Sequence, residues 1–249
     1  MINRIILKSR LLILLTVSFP SSAEQIVVAS DIWCPYICSD NSGYVVELTQ
    51  QAFATVDVEV KFETIPFQRA LKLTSQHKID AVLAVTSEHM LNFELYNNHI
   101  VIGQYTNDFY TAVDSSWQYS DLASLDDMLI ATILGYDYGQ SLNQYLETRH
   151  PQIRTSGETP LKSNLYLTAK RRVDLLVGNR YVIDHTARQF GYSDDIRYAG
   201  SENEITPLYV GFGNNDKGRS YATKFAQGIE SLKQNGEYQA ILDKYQITF

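Results

Sequence analysis

Two stretches of this chain have one shape. Lys78-Ile-Asp-Ala-Val-Leu-Ala84 and Arg172-Val-Asp-Leu-Leu-Val-Gly178 each place a basic residue, an apolar residue and an aspartate at the head of a short apolar run. Each follows a segment with helical spacing. Short apolar runs of this kind suit strands buried on both faces, as in parallel sheets covered by helices. The same pattern appearing twice in one chain points to two similar α/β lobes.

The remaining sequence fits that frame. Gln25–Ser30 reads as a buried strand, Tyr44–Thr55 as a helix and Val58–Thr64 as an alternating strand. Pro66 can open a helix that runs to about His77. A strand over 79–85 and an extended stretch over 100–113 follow. A second series then begins, with strands at 129–134, 153–156, 173–177, 196–199 and 208–212. Helices are expected at 141–149, 160–171, 180–190 and 220–245, the last interrupted near Asn235-Gly236. Strands alternating with helices give α/β architecture with mostly parallel sheets. No Pro/Ser-rich linker separates the halves, so strands rather than a floppy tether should join them.

The first 23 residues read as an address. Arg4, Lys8 and Arg10 precede the apolar run Leu11–Phe19, and Pro20-Ser-Ser-Ala23 supplies the small residues of a cut site. The alternative is a membrane anchor, but the run is about half of the roughly 20 residues that a span needs. Cleavage is expected after Ala23, and export places the protein in the periplasm. Without this segment 18 basic residues face 28 acidic ones, a formal charge of −10. Such a body repels nucleic acid and anionic membrane. Cys34 and Cys38 sit four apart in Trp33-Cys-Pro-Tyr-Ile-Cys38. This is not the spacing of a redox or zinc motif. In an exported protein it reads as a bridge that stiffens the loop presenting Trp33 and Tyr36, with two free thiols as the alternative.

Catalytic and metal motifs do not assemble. The histidines at 77, 89, 99, 150 and 185 are scattered, without zinc spacing, and no G-x-S-x-G elbow occurs. Ser75-Gln-His-Lys78 and Ser39-Asp-Asn41 match two penicillin-enzyme signatures, but in reversed order and without K-T-G. They read as a solvated helix end and a turn. No metal or cofactor is expected. Polar and aromatic residues gather instead just beyond expected strand ends: Trp33 and Tyr36, Thr86 and His89, Tyr136 and Tyr138, and Asn179. In open α/β sheets, ligands bind beyond the carboxyl ends of strands.

Over about residues 25 to 248 the chain resembles the family 3 extracellular solute-binding proteins, the periplasmic receptors of polar amino acid ABC transporters. The resemblance rests on Trp33-Cys-Pro-Tyr36 with Gly43-Tyr-Val-Val-Glu-Leu48, Pro66-Phe-Gln-Arg-Ala70, Ile79-Asp-Ala-Val82 and Thr86-Ser-Glu-His-Met90. In the second half it rests on Gly135-Tyr-Asp-Tyr-Gly139, Arg172–Asn179 and Leu232–Ile241. It implies two α/β lobes joined by two crossing strands and closing on a ligand. Lobe 1 would comprise 24–113 plus 208–249, and lobe 2 would comprise 114–207.

The resemblance also assigns roles. Trp33 and Thr86 would line the cleft, as would the loop Tyr136–Tyr138. Two positions depart from the family pattern. His89 stands where an arginine usually clamps the α-carboxylate, and Asn179 where an aspartate usually takes the α-amino group. Arg69 could supply a replacement cation. The implied protein is a monomeric receptor for a small polar, amino-acid-like solute, paired with an inner-membrane ABC permease and doing no covalent chemistry. A sensing module without transport is the alternative. So is a dehydratase-like enzyme on the same fold, for which Asp137 is the candidate acid.

Overall fold

The computed structural model describes residues 24–149, 151–202 and 204–247. Residues 1–23, read above as an export signal, lie outside the described residues. The chain builds two five-stranded sheets of the same design.

The first sheet contains β1 (Glu24–Ser30), β2 (Val58–Thr64), β3 (Ala81–Val85), β4 (Gly103–Tyr105) and β10 (Thr206–Phe212), in the order β2-β1-β3-β10-β4. β1 pairs in parallel with β2 and β3, while β10 runs antiparallel to both β3 and β4. The second sheet contains β5 (Asp108–Ala112), β6 (Ile130–Ile133), β7 (Gln152–Thr155), β8 (Leu175–Gly178) and β9 (Ile196–Ser201), in the order β7-β6-β8-β5-β9. Here β6 pairs in parallel with β7 and β8, and β5 is the reversed strand. Each sheet therefore has four strands running one way and one running against them. In both, the reversed strand belongs to a segment that crosses between lobes.

One boundary differs from the sequence expectation. The stretch 100–113 was to stay whole in lobe 1, but β5 hydrogen-bonds to β8 and β9 in the second sheet. The chain thus crosses between Tyr105 and Asp108, and returns between Ser201 and Thr206. An extended segment read alone does not say which sheet will pair with it, because its partners lie roughly 70 to 90 residues further along.

Helices cover both sheets. α1 (Tyr44–Ala54) buries Val45, Leu48, Ala52 and Phe53 against the first sheet and against α7 (Asp216–Asn235). α7 starts earlier than its apolar pattern suggests, because Asn215 caps it by accepting the Gly218 N–H at 2.8 Å. It ends at Gly236, whose φ of 84° lies in the left-handed region, and α8 (Glu237–Lys244) follows. α2 (Phe67–Ser75) and a short α3 (Ser87–Asn92) complete lobe 1. α4 (Gln140–Arg149), α5 (Pro160–Ala169) and α6 (Arg180–Phe190) flank the second sheet. No described helix is long and apolar enough to cross a membrane.

Candidate ligand-binding site

Residues that follow β1 and β3 in the first sheet and β6 and β8 in the second come together in one place. They line a cavity of about 60 Å³. Lobe 1 supplies Ser30, Asp31, Trp33, Thr86 and His89; lobe 2 supplies Tyr136, Asp137, Tyr138 and Asn179.

Trp33 is held by a tight loop. The Cys34–Cys38 disulfide closes it, with Cα atoms 4.5 Å apart, and the Trp33 N–H donates to the Ile37 carbonyl at 2.7 Å. The indole lies 4.4 Å from the Tyr36 ring and edge-on to Tyr105. Tyr36 itself is buried in the lobe 1 core and does not line the cavity. Its phenol instead accepts from Asn179 Nδ2 at 3.4 Å across the lobes. Arg69 is exposed on α2, away from the cavity.

Thr86 and His89 form a reciprocal cap on α3. Thr86 Oγ1 accepts the His89 N–H at 3.3 Å, and His89 Nδ1 accepts the Thr86 N–H at 3.2 Å. With Nδ1 an acceptor, the neutral ring carries its proton on Nε2, which donates to the Gly135 carbonyl in lobe 2 at 3.1 Å. Burial holds the imidazole below its ordinary pKa, opposed by the nearby Asp137 carboxylate and the Gly135 carbonyl. His89 is therefore a neutral strut between lobes rather than a cationic clamp. Asn179 likewise has a structural duty: it caps α6, its Oδ1 accepting the Val182 N–H at 3.3 Å.

The carboxyls of the cleft are Asp31 and Asp137. Asp137 Oδ1 accepts from the Gly139 N–H at 2.8 Å and Asn143 Nδ2 at 2.6 Å, and Oδ2 accepts from the Thr86 hydroxyl at 2.5 Å. Asp31 accepts from the Tyr136 hydroxyl at 2.7 Å. Burial pushes Asp31 up to about 7, against the lowering pull of that phenol. The same pair drives Tyr136 well above its ordinary value, by burial first and the facing carboxylate second. Asn107 Nδ2 donates to the Tyr138 carbonyl at 2.5 Å and to Glu202 at 2.7 Å. Its Oδ1 is buried without a partner among the described residues.

The structure thus gathers Trp33, Thr86, His89, Tyr136, Tyr138 and Asn179 around one cavity and leaves Tyr36 and Arg69 outside it. Asp31, Tyr105 and Asn107 join the lining without having been singled out in the sequence. Asp31 had a readable signal, an acid directly after a buried strand. Asn107 had none, because its place depends on where the chain crosses between sheets.

Residues 26–248 match the family model for bacterial extracellular solute-binding proteins, family 3. No curated protein matches the sequence. Among solved structures, the chain is similar to a histidine kinase sensor domain that itself resembles periplasmic binding proteins. That match has a TM-score of 0.76 and 17% identity, covering 88% of this chain and 95% of the other. It is also similar to the GluR0 ligand-binding core from Nostoc punctiforme in complex with L-glutamate, at TM-score 0.69, 19% identity and coverage of 88% and 98%. A third is the substrate binding protein of an amino acid ABC transporter, at TM-score 0.69, 15% identity and coverage of 88% and 98%. At these identities the likeness speaks for the fold.

Proposed function

Since the chain belongs to the family 3 bacterial extracellular solute-binding proteins, we propose that it captures a small polar solute between its two lobes and hands it to an inner-membrane ABC permease. The observation that carries this reading is the cavity, lined at once by the strand ends of both sheets. A ligand touching both lobes favours the closed arrangement by its extra contacts there, which is what shifts a two-state equilibrium. The expected form is a periplasmic monomer processed after Ala23.

The site is built for binding rather than bond-making. Asp137, the candidate acid of an enzyme reading, already accepts three hydrogen bonds from Gly139, Asn143 and Thr86. A sensing role without transport is the second reading, favoured by the similarity to a histidine kinase sensor domain.

Small-angle scattering tests the binding reading. The radius of gyration of the purified protein should fall when a filtered low-molecular-mass metabolite extract is added, and return after dialysis. An unchanged profile, with no thermal stabilisation by the extract, would overturn it. Loss of solute uptake in a deletion strain separates transport from sensing, because a sensor deletion changes gene expression and leaves uptake rates intact.

A further inference from the structure

The cavity carries acceptors and aromatic faces but no lysine or arginine. Asp31 and Asp137 line it, together with Trp33, Phe67, Tyr105, Tyr136 and Tyr138. Arg154 lines an adjoining hollow that shares Asp137 and His89 with the cavity and also contains Glu88 and Glu147, but it makes no ion pair with Asp137 among the described residues. His89 is the one ring that could become cationic. Its Nδ1 accepts from Thr86 and its Nε2 faces Gly135, so a second proton on Nδ1 would break the cap.

Some donors at the helix starts beside the cleft are engaged within the protein. Thr86 caps the start of α3, Asp137 takes the Gly139 N–H before α4, and Asn179 caps α6. Two hydroxyls facing the cleft are committed as donors as well: Tyr136 to Asp31, and Tyr105 to the Asp137 carbonyl. Acceptor capacity, in contrast, is left over. Asn107, 2% exposed and lining the cavity, has an Oδ1 without a partner among the described residues. Asp31 has one side-chain donor in Tyr136, and neither cleft carboxyl has a cationic partner among the described residues.

A buried carboxylate needs a counter-charge or enough donors to offset its lost hydration. Aromatic faces also attract cations. We propose that the solute is an organic cation, an amine-bearing molecule without an α-carboxylate, whose ammonium group sits between Asp31 and Asp137 against the aromatic wall. This rests on the solute-binding reading above and narrows it, because a zwitterionic amino acid would bury its carboxylate beside two aspartates with no lysine or arginine in the lining to balance it.

Matched pairs test it. Titration calorimetry and thermal shift would compare tyramine with L-tyrosine, agmatine with L-arginine and putrescine with L-ornithine. At least one amine should bind about tenfold or more tightly than its carboxylated partner, with saturable stabilisation. For that amine, Asp137→Asn and Asp31→Asn should each weaken binding by about tenfold or more, roughly the worth of a charge-assisted contact. Circular dichroism confirms that each variant folds. If tyramine is the ligand, its neutral analogue tyrosol should bind wild type and both variants alike. Equal or tighter binding of the amino acid in every responding pair overturns the cation assignment and keeps the solute-binding reading. Silence from every amine also overturns it, and solute binding itself is then judged by the extract and scattering experiment.

Discussion

The two lobes share a device at the head of their central strands and differ in what surrounds it. In lobe 1, Asp80 Oδ2 accepts the Val27 N–H at 2.9 Å while the Asp80 N–H donates to the Val27 carbonyl at 3.0 Å. In lobe 2, Asp174 Oδ2 accepts the Leu129 N–H at 2.7 Å, and its own N–H donates to the Leu129 carbonyl at 2.9 Å. The aspartate common to the two similar sequence stretches thus clamps the incoming strand in both lobes. Around it the lobes diverge. Asp80 is paired with Lys217 of α7 at 2.6 Å, and α7 packs along α1, so the C-terminal helices seal lobe 1. Asp174 is exposed and has no such cover. The comparison teaches that the sheet-building element is common to both halves, while stability and binding chemistry are set by what each lobe adds.

The cleft carboxyls show the divergence most sharply, and they carry the largest expected effect. Asp137 of lobe 2 has three donors, two from its own lobe and Thr86 from lobe 1, whereas Asp31 of lobe 1 is buried with one side-chain donor, the Tyr136 phenol of lobe 2. Burial pushes Asp31 from an ordinary 3.8 to about 7. A folded-state pKa raised in this way means the folded protein holds more protons than the unfolded chain between about pH 4 and 7. Its contribution is fully present below pH 4 and lost as pH rises through about 7. The change is on the order of 4 kcal/mol at 1.36 kcal/mol per unit. His89 works in the opposite sense, since its lowered pKa costs stability as pH falls below about 6.5. Urea denaturation from pH 4 to 8 should therefore show a steeper loss with rising pH in wild type than in Asp31→Asn. Identical slopes in the two proteins would mean that Asp31 is solvated and that the lobes do not differ in this respect.

The helical layers give the next effect. Gly228 of α7 is so close to α1 that an added Cβ would stand 2.0 Å from the Ala52 carbonyl oxygen. Backbone cannot swing aside as a flexible side chain can, so Gly228→Ala should cost about 3 kcal/mol by forcing the helices apart. In lobe 2, α5 and α6 contain no glycine and pack through side chains. Hydrogen exchange should show the loss in α1 and α7 while α5 and α6 keep their protection. A uniform loss across both lobes would show that they unfold as one unit.

Much of this was legible in advance, for identifiable reasons. Strand and helix alternation follows from local apolar spacing, and nearly every expected element formed within a few residues. The shared Asp pattern announced two lobes because each aspartate serves a local purpose, holding the strand laid down before it. β5 was not legible, since an extended segment has no preference until two sheets exist to compete for it. Sequence position brought His89 to the cleft, but its role depends on a proton placed by Thr86 and a carbonyl 46 residues away. The Thr86-x-x-His89 spacing does carry the outline of a capping box, with histidine in the place of the usual Glu or Gln. That local signal points to the cap on α3 and not to the contact with lobe 2. Arg69 looked available as a cation because sequence does not reveal which face of α2 turns outward.

The smallest effect tests the shared device itself. Removing the Asp80 carboxylate strips the Val27 N–H of its partner in a half-buried strand and breaks a charge-assisted bond, so Asp80→Ala should cost about 2 kcal/mol. Asp174→Ala removes the same bond at an exposed position, where water can replace the lost acceptor, and should cost about 1 kcal/mol or less. Lys217 could account for the difference, but its side chain is 59% exposed, and exposed pairs contribute little. Lys217→Met should therefore cost under about 1 kcal/mol. Chemical denaturation of the three variants separates the causes. If Asp80→Ala and Lys217→Met lose equal stability, the ion pair rather than the strand clamp holds lobe 1. If Asp174→Ala loses as much as Asp80→Ala, burial does not grade the clamp, and the two lobes depend on it equally.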